Sequence, residues 1–212
     1  MTNAIAEANL TKIKATGSKG GWLPIFITCV SLMEGFAPVG HHDPIDPPGV
    51  NTIGYGHIED VQIGDRITKI EAEELLAKDT PRYVNPIRKC LHVDEQKYPW
   101  RFAAFVDASF NLGPGTVCKS SMVRKMNAGD VAGACKAFEL YTKANGKFVQ
   151  GLLNRRYVEH ALCLMEDDEP AAKAVLAKRT PTVPVPVPAP LPKEQPAPRG
   201  LWATIHSWFV GE

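Results

Sequence analysis

The stretch Asp46-Pro-Pro-Gly-Val-Asn-Thr52-Ile-Gly-Tyr-Gly-His57 decides how this chain is read. Its glycines and prolines exclude a helix, and its short alternation of side chains reads as an extended, sharply bent segment. That segment carries a carboxylate and a hydroxyl. Glu34-Gly35 lies a little upstream, at the end of an apolar run from Trp22 to Met33. Alternation at Gly54 and Gly56 allows tight bends and lets a ligand approach the backbone closely.

Working outward, Trp22, Leu23, Phe26, Val30 and Met33 recur at helical spacing, and Gly35 reads as the stop just past that helix. Residues 36 to 65 read as a small twisted antiparallel sheet. Thr68-Lys-Ile-Glu71 is a capping box, with Ile70, Leu75 and Leu76 as the face of the helix it opens. A helix is expected over Glu95 to Phe110, with Pro99 disturbing its start and Phe102, Phe105, Val106 and Phe110 as its apolar stripe. Further helices are expected at 116–126, 129–141 and 152–165. Helix, small sheet, then mostly helices gives an α+β class that is mainly α, with two lobes flanking a cleft.

With 212 residues the chain has room for one domain of ordinary size and an appendage. A formal net charge of +1 argues against broad capture of nucleic acid. Cys29, Cys90, Cys118, Cys135 and Cys163 show no Cys-x-x-Cys spacing, and their odd number leaves at least one thiol unpaired. Most lie among apolar residues, so they read as buried free thiols of a protein made in a reducing cytoplasm. The run from Trp22 to Met33 is too short to span a membrane and lacks the flanks of a secretory signal.

Glu34 is the first candidate for chemistry. A helix C-terminus and the apolar neighbours Leu32, Met33 and Phe36 both disfavour a carboxylate there, which suits a general acid. A second acid with a neighbouring hydroxyl completes what hydrolysis of a glycosidic bond requires. The same residues carry a resemblance. A helix ending in Glu-Gly, then Asp, then Thr-x-Gly-x-Gly-His is similar to the catalytic core of phage-type lysozymes, endolysins of glycoside hydrolase family 24. Phe110-Asn-Leu-Gly113, Ser120-Ser121 and Gly151-Leu-Leu-Asn-Arg-Arg-Tyr-Val-Glu159 extend the likeness over about residues 20 to 166.

The resemblance implies a lysozyme-like fold and an inverting muramidase, cutting peptidoglycan between N-acetylmuramic acid and N-acetylglucosamine to lyse the host. It implies Glu34, Asp46 and Thr52 as the catalytic set, the latter two holding the attacking water. Asp46 keeps the spacing to Thr52, whereas Asp43 keeps the spacing from Glu34, so Asp43 stays as the alternative second acid. Gly56, Phe110, Asn111 and Ser121 are implied to bind substrate, although Phe110 also reads as core. Arg155 is the expected partner that orients Glu34, and Arg156 pairs with Glu159 or another surface acid. His57 reads as structural, paired with an acid elsewhere. His41, His42 and Asp43 lack the spacing of a shared metal site, and neither a metal nor another cofactor is expected.

The expected organisation is a lead-in at 1–20, a catalytic domain at 21–166, a short helical extension at 167–180, a Pro-rich linker at 181–199 and an amphipathic helix at 200–212. Eight prolines between Pro181 and Pro198 favour an extended, semi-rigid segment. The stripe Leu201, Trp202, Ile205, Trp208 and Phe209 fits docking on the core, a partner, or a membrane surface. A monomer is expected, held in the host cytoplasm and reaching the periplasmic wall by holin-type release. Two other functions remain open. A lytic transglycosylase would leave an anhydro end, and a silent wall-binding or virion structural protein would not clear permeabilised cells.

Overall fold

A computed structural model describes residues 20–42 and 50–178. Helix α1 (Trp22–Met33) buries Ile25, Phe26, Cys29 and Val30. It does not end on a left-handed glycine. Glu34 itself turns to extended backbone (φ −91°, ψ 152°) while its N–H still bonds Val30 O at 2.8 Å, so Gly35 is not needed as a cap. The chain leaves the helix directly into strand β1 (Ala37–His42).

Strand β1 pairs antiparallel with β2 (Asn51–Gly54), with Ala37 opposite Gly54 and His41 opposite Thr52. Beyond β2 the chain doubles back at once. Ile53 N donates to His57 O and His57 N to Ile53 O, both at 3.0 Å. The three residues between them make the turn with Gly54 at φ 67° and Gly56 at φ 93°. The two glycines serve different ends. A Cβ on Gly54 would stand 3.0 Å from Ala72 and Ile67, whereas one on Gly56 would meet nothing within 4 Å. Gly54 thus permits both turn and packing, and Gly56 permits the turn alone.

Helix α2 (Lys69–Asp79) opens with the expected capping box: Glu71 N donates to Thr68 Oγ1 at 3.3 Å, and Thr68 N to Glu71 Oε2 at 2.7 Å. Leu76 is buried, but Ile70 is 71% exposed and does not belong to the buried face. Helix α3 (Pro81–Cys90) follows directly, Pro81 standing at its first turn where a missing N–H costs nothing.

The centre of the helical lobe is α4 (Pro99–Leu112), buried continuously from Arg101 to Ser109. Its start is Pro99 rather than Glu95, and the Glu166 carboxylate accepts from the backbone N–H groups of Trp100 and Arg101. Around it stand α5 (Pro114–Cys118), α6 (Ser121–Asn127) and α7 (Val131–Ala137). The single helix expected over 116–126 is therefore broken, because the Ser120 hydroxyl accepts from Val123 N and starts a new helix. A 3-10 turn (Phe138–Leu140) leads to a small hairpin, β3 (Lys143–Ala144) and β4 (Lys147–Phe148). Helix α8 (Gln150–Leu164) packs on α4, and α9 (Glu169–Leu176) adds Ala172, Val175 and Leu176 to the core.

The cysteines correct the expectation of free thiols. Cys90 is bonded to Cys118, joining α3 to α5, and Cys135 to Cys163, joining α7 to α8. Only Cys29 is free, and it is buried. Each bridge closes a sequence separation of 28 residues, for which loop-closure entropy gives a stabilisation of roughly 3–4 kcal/mol. No helix among the described residues is long and apolar enough to cross a membrane.

Candidate active site

The end of α1 and the bend after β2 face the same depression. One cavity of about 300 Å³ is lined by Glu34, Gly35, Ala37, His41, Thr52, Gly54, Tyr55, Gly56, Phe110 and Asn111. A second of similar volume, lined by Leu32, Met33, Val149, Gly151, Leu152, Asn154 and Arg155, shares Glu34 and Asn111 with the first. Glu34 therefore stands where two cavities meet, its side chain one-third exposed.

The fixing of Glu34 comes from α8. Arg155 Nη1 donates to Glu34 Oε1. The same guanidinium gives Nε and Nη2 to the two oxygens of Asp107 on α4, at 3.0 and 2.9 Å. Two parallel bonds to a carboxylate fix a guanidinium in plane as well as in position. Burial works against the charge on Arg155, but Asp107, Glu34 and Glu159 together hold it above the ordinary arginine range.

Arg156 takes Glu159, one of the partners expected for it, but in the interior rather than at the surface. It is wholly buried and donates from Nη2 to Glu159 Oε1 at 2.7 Å and to Asn111 Oδ1 at 2.8 Å. Burial pushes the Glu159 carboxyl well above the usual range, Arg156 opposes this, and neighbouring Asp107 adds to it. Asn111, its carbonyl oxygen held by Arg156, has its amide N–H groups left to meet a ligand.

Phe110 belongs to the core and also borders the cavity. It packs edge-on against Phe26 and Tyr83, with centroids 6.0 and 5.1 Å away, and it also lines the cavity beneath the Arg155 guanidinium. Thr52, 9% exposed, sits on β2 across the first cavity from Glu34. His57 is buried, with Nδ1 2.8 Å from Asp79 Oδ2, tying the glycine bend to the last residue of α2. Ser121 opens α6 and is not among the residues lining the two cavities. Asp43 and Asp46 lie outside the described residues.

Three contributors escape a reading of the sequence. Asp107 could have been noticed as a lone acid inside the apolar stripe of α4. His41, on β1, and Tyr55, at a variable position of the Thr-x-Gly-x-Gly-His motif, also line the first cavity.

Comparisons with known proteins identify the family. The phage lysozyme family model matches residues 31–159. A SAR-endolysin of Enterobacteria phage P21 is 33% identical over 160 residues, spanning 74% of this chain and 96% of its own. A SAR-endolysin of Enterobacteria phage PA-2 is 34% identical over 163 residues, with the same coverage. Among solved structures, the muramidase domain of SpmX from Asticaccaulis excentricus superposes with a TM-score of 0.58 at 28% identity, covering 66% of this chain and 94% of that one. A point mutant of P22 lysozyme gives 0.57 at 29% identity, with the same coverage. With the family's span enclosing Glu34, the Thr52 bend and Arg155, the chain belongs to the phage lysozyme family, as an endolysin-type glycoside hydrolase that acts on bacterial peptidoglycan.

Proposed function

We propose that the enzyme hydrolyses the β-1,4 bond between N-acetylmuramic acid and N-acetylglucosamine with inversion at the anomeric carbon. Glu34 donates its proton to the leaving sugar oxygen. A water held by Asp46 and the Thr52 hydroxyl attacks from the opposite face of the ring, and Asp46 takes its proton. Arg155 orients Glu34. Asn111 donates to an acetamido or hydroxyl oxygen, Phe110 and Gly56 shape the floor under the sugar, and Ser121 contacts the glycan farther along the helical lobe. The observation that carries this reading is the position of Glu34 at the junction of two cavities. An enzyme cutting within a polymer needs sugar subsites on both sides of its acid.

Mass spectrometry of digested peptidoglycan, with wild type and Glu34→Gln side by side, tests the reading. Hydrolysis gives reducing-end products, and the variant gives almost none. Anhydro ends would mean a transglycosylase. Proton NMR of a fresh digest reads the anomer first formed, and retention would refute the water-holding role of Asp46.

The site of action is the periplasmic wall. Two disulfides suit an oxidising compartment rather than the reducing cytoplasm expected from the cysteine pattern, and relatives are named SAR-endolysins. The enzyme acts as a monomer. Because α9 packs into the core, the catalytic unit extends past 166 to about residue 178, and the appendage is the remainder, whose residues 179–212 lie outside the described ones. A chain ending at Lys178 stays folded and cuts purified peptidoglycan. Liposome flotation of the full chain, lost on truncation, would identify the tail as a membrane contact.

A further inference from the structure

Asp107 touches neither cavity, yet it makes the only two-bonded contact with Arg155 among the described residues, and Arg155 is the group that reaches Glu34. Asp107 is completely buried in the middle of α4. A carboxylate so placed is costly to desolvate and is kept only where its partner is fixed. We propose that Asp107 is a positioning residue for the reaction: it clamps Arg155 so that Nη1 points at Glu34, and it cancels the guanidinium charge that would otherwise hold Glu34 ionised. This rests on Glu34 being the acid.

The logic is one of charge and geometry together. A lone guanidinium against a carboxyl favours the carboxylate, which cannot donate a proton. A guanidinium already matched by Asp107 holds Glu34 in place with far less net field. The other charged or titratable groups at this cluster are accounted for. Arg156 is paired with Glu159 on the same helix, Cys29 approaches from α1 with its thiol pushed up by burial, and His41 and Tyr55 line the cavity from the sheet. Among the described residues Glu159 is the group able to replace Asp107, since its Oε1 is 3.7 Å from Arg155 Nε and burial pushes its carboxyl well above the usual range, so that it can take up charge when Asp107 is lost.

The test is the pH dependence of kcat/KM on solubilised peptidoglycan for wild type, Asp107→Asn and Asp107→Asn/Glu159→Gln, each checked for folding by circular dichroism. The alkaline limb moves to lower pH by roughly one unit in the double variant, the scale of one uncompensated neighbouring charge, and by no more than that in Asp107→Asn. KM stays within about twofold, the loss falls on kcat, and activity recovers at acid pH. A merely structural role would lower the folded fraction without moving the limb, and an unmoved limb in both folded variants overturns the proposal. Should neither fold, Asp107→Glu decides: charge is kept and reach altered, so kcat falls with the limb in place, and a shifted limb or an intact kcat overturns the proposal. Glu34→Gln is assayed alongside. Activity retained there refutes the acid itself, whereas activity lost there with an unmoved limb refutes Asp107 alone.

Discussion

The two walls of the cleft are held by different physics. On the helical side, Glu34 is backed by Arg155, Asp107, Arg156 and Glu159, and the last four are all at most 6% exposed. On the sheet side, Thr52 rides on two short strands and a glycine bend, whose position depends on backbone hydrogen bonds and one buried pair, His57–Asp79. The acid is thus held by side-chain charge, and the proposed water-holding hydroxyl by main-chain geometry. A buried charge network fixes a group closely but fails badly when one member is lost. A backbone bend tolerates side-chain change but depends on residues that accept positive φ.

The largest effect that could break this contrast is chemical. Glu34→Gln keeps size and hydrogen bonding but cannot act as an acid, so kcat on peptidoglycan falls by roughly 10²- to 10⁴-fold with little change in melting temperature. For the second acid, Asp46→Asn is expected to impair turnover severely while Asp43→Asn retains most of it. The reverse ranking in a turbidity assay on permeabilised Gram-negative cells would assign the water to Asp43.

Stability separates the walls next. Arg156→Met leaves Glu159 in the interior with only the longer 3.7 Å contact to Arg155 and costs about 3–5 kcal/mol by urea denaturation, whereas Arg156→Met/Glu159→Leu restores much of that. If the single variant were as stable as wild type, the helical wall would not depend on its charges. Asp79→Asn strips the buried His57 of its carboxylate and costs about 1–3 kcal/mol, with peptidoglycan turnover reduced because the bend carrying Gly56 loosens. The smallest effect serves as the control. Arg88→Ala removes a partly exposed pair with Glu95, and its cost of about 0–1 kcal/mol should barely register in a thermal melt.

What the sequence disclosed follows the same division. The capping box, the glycine bend and the amphipathic α1 are legible because each is specified by residues close together in the chain. The Arg155–Glu34 contact is reachable only through motif resemblance, since 121 residues separate the partners. Asp107 stays hidden because its role depends on what α8 brings against α4. Asn145-Gly146, both at positive φ, make the turn between β3 and β4, and the pair is a strong local hairpin signal flanked by strands too short to show any alternation. Helix α3 is obscured because Pro81 and Pro86 argue locally against one, yet Pro81 falls in the first turn and Val84 and Ile87 anchor the rest in the core. The cysteines mislead because pairing is a property of the folded lobe, and their apolar surroundings suit a thiol and a buried bridge equally well.

The two bridges also have an order. Each joins cysteines that follow one another along the chain, Cys90 with Cys118 and then Cys135 with Cys163, so the loops neither nest nor cross. A chain threading amino-end first into an oxidising space would present them in that sequence, and pairing each newcomer with the thiol just before it yields the native connectivity without reshuffling. The exception is Cys29, which arrives earliest and has no assigned mate. In the folded lobe it is covered inside α1, while the other four are bonded in two pairs.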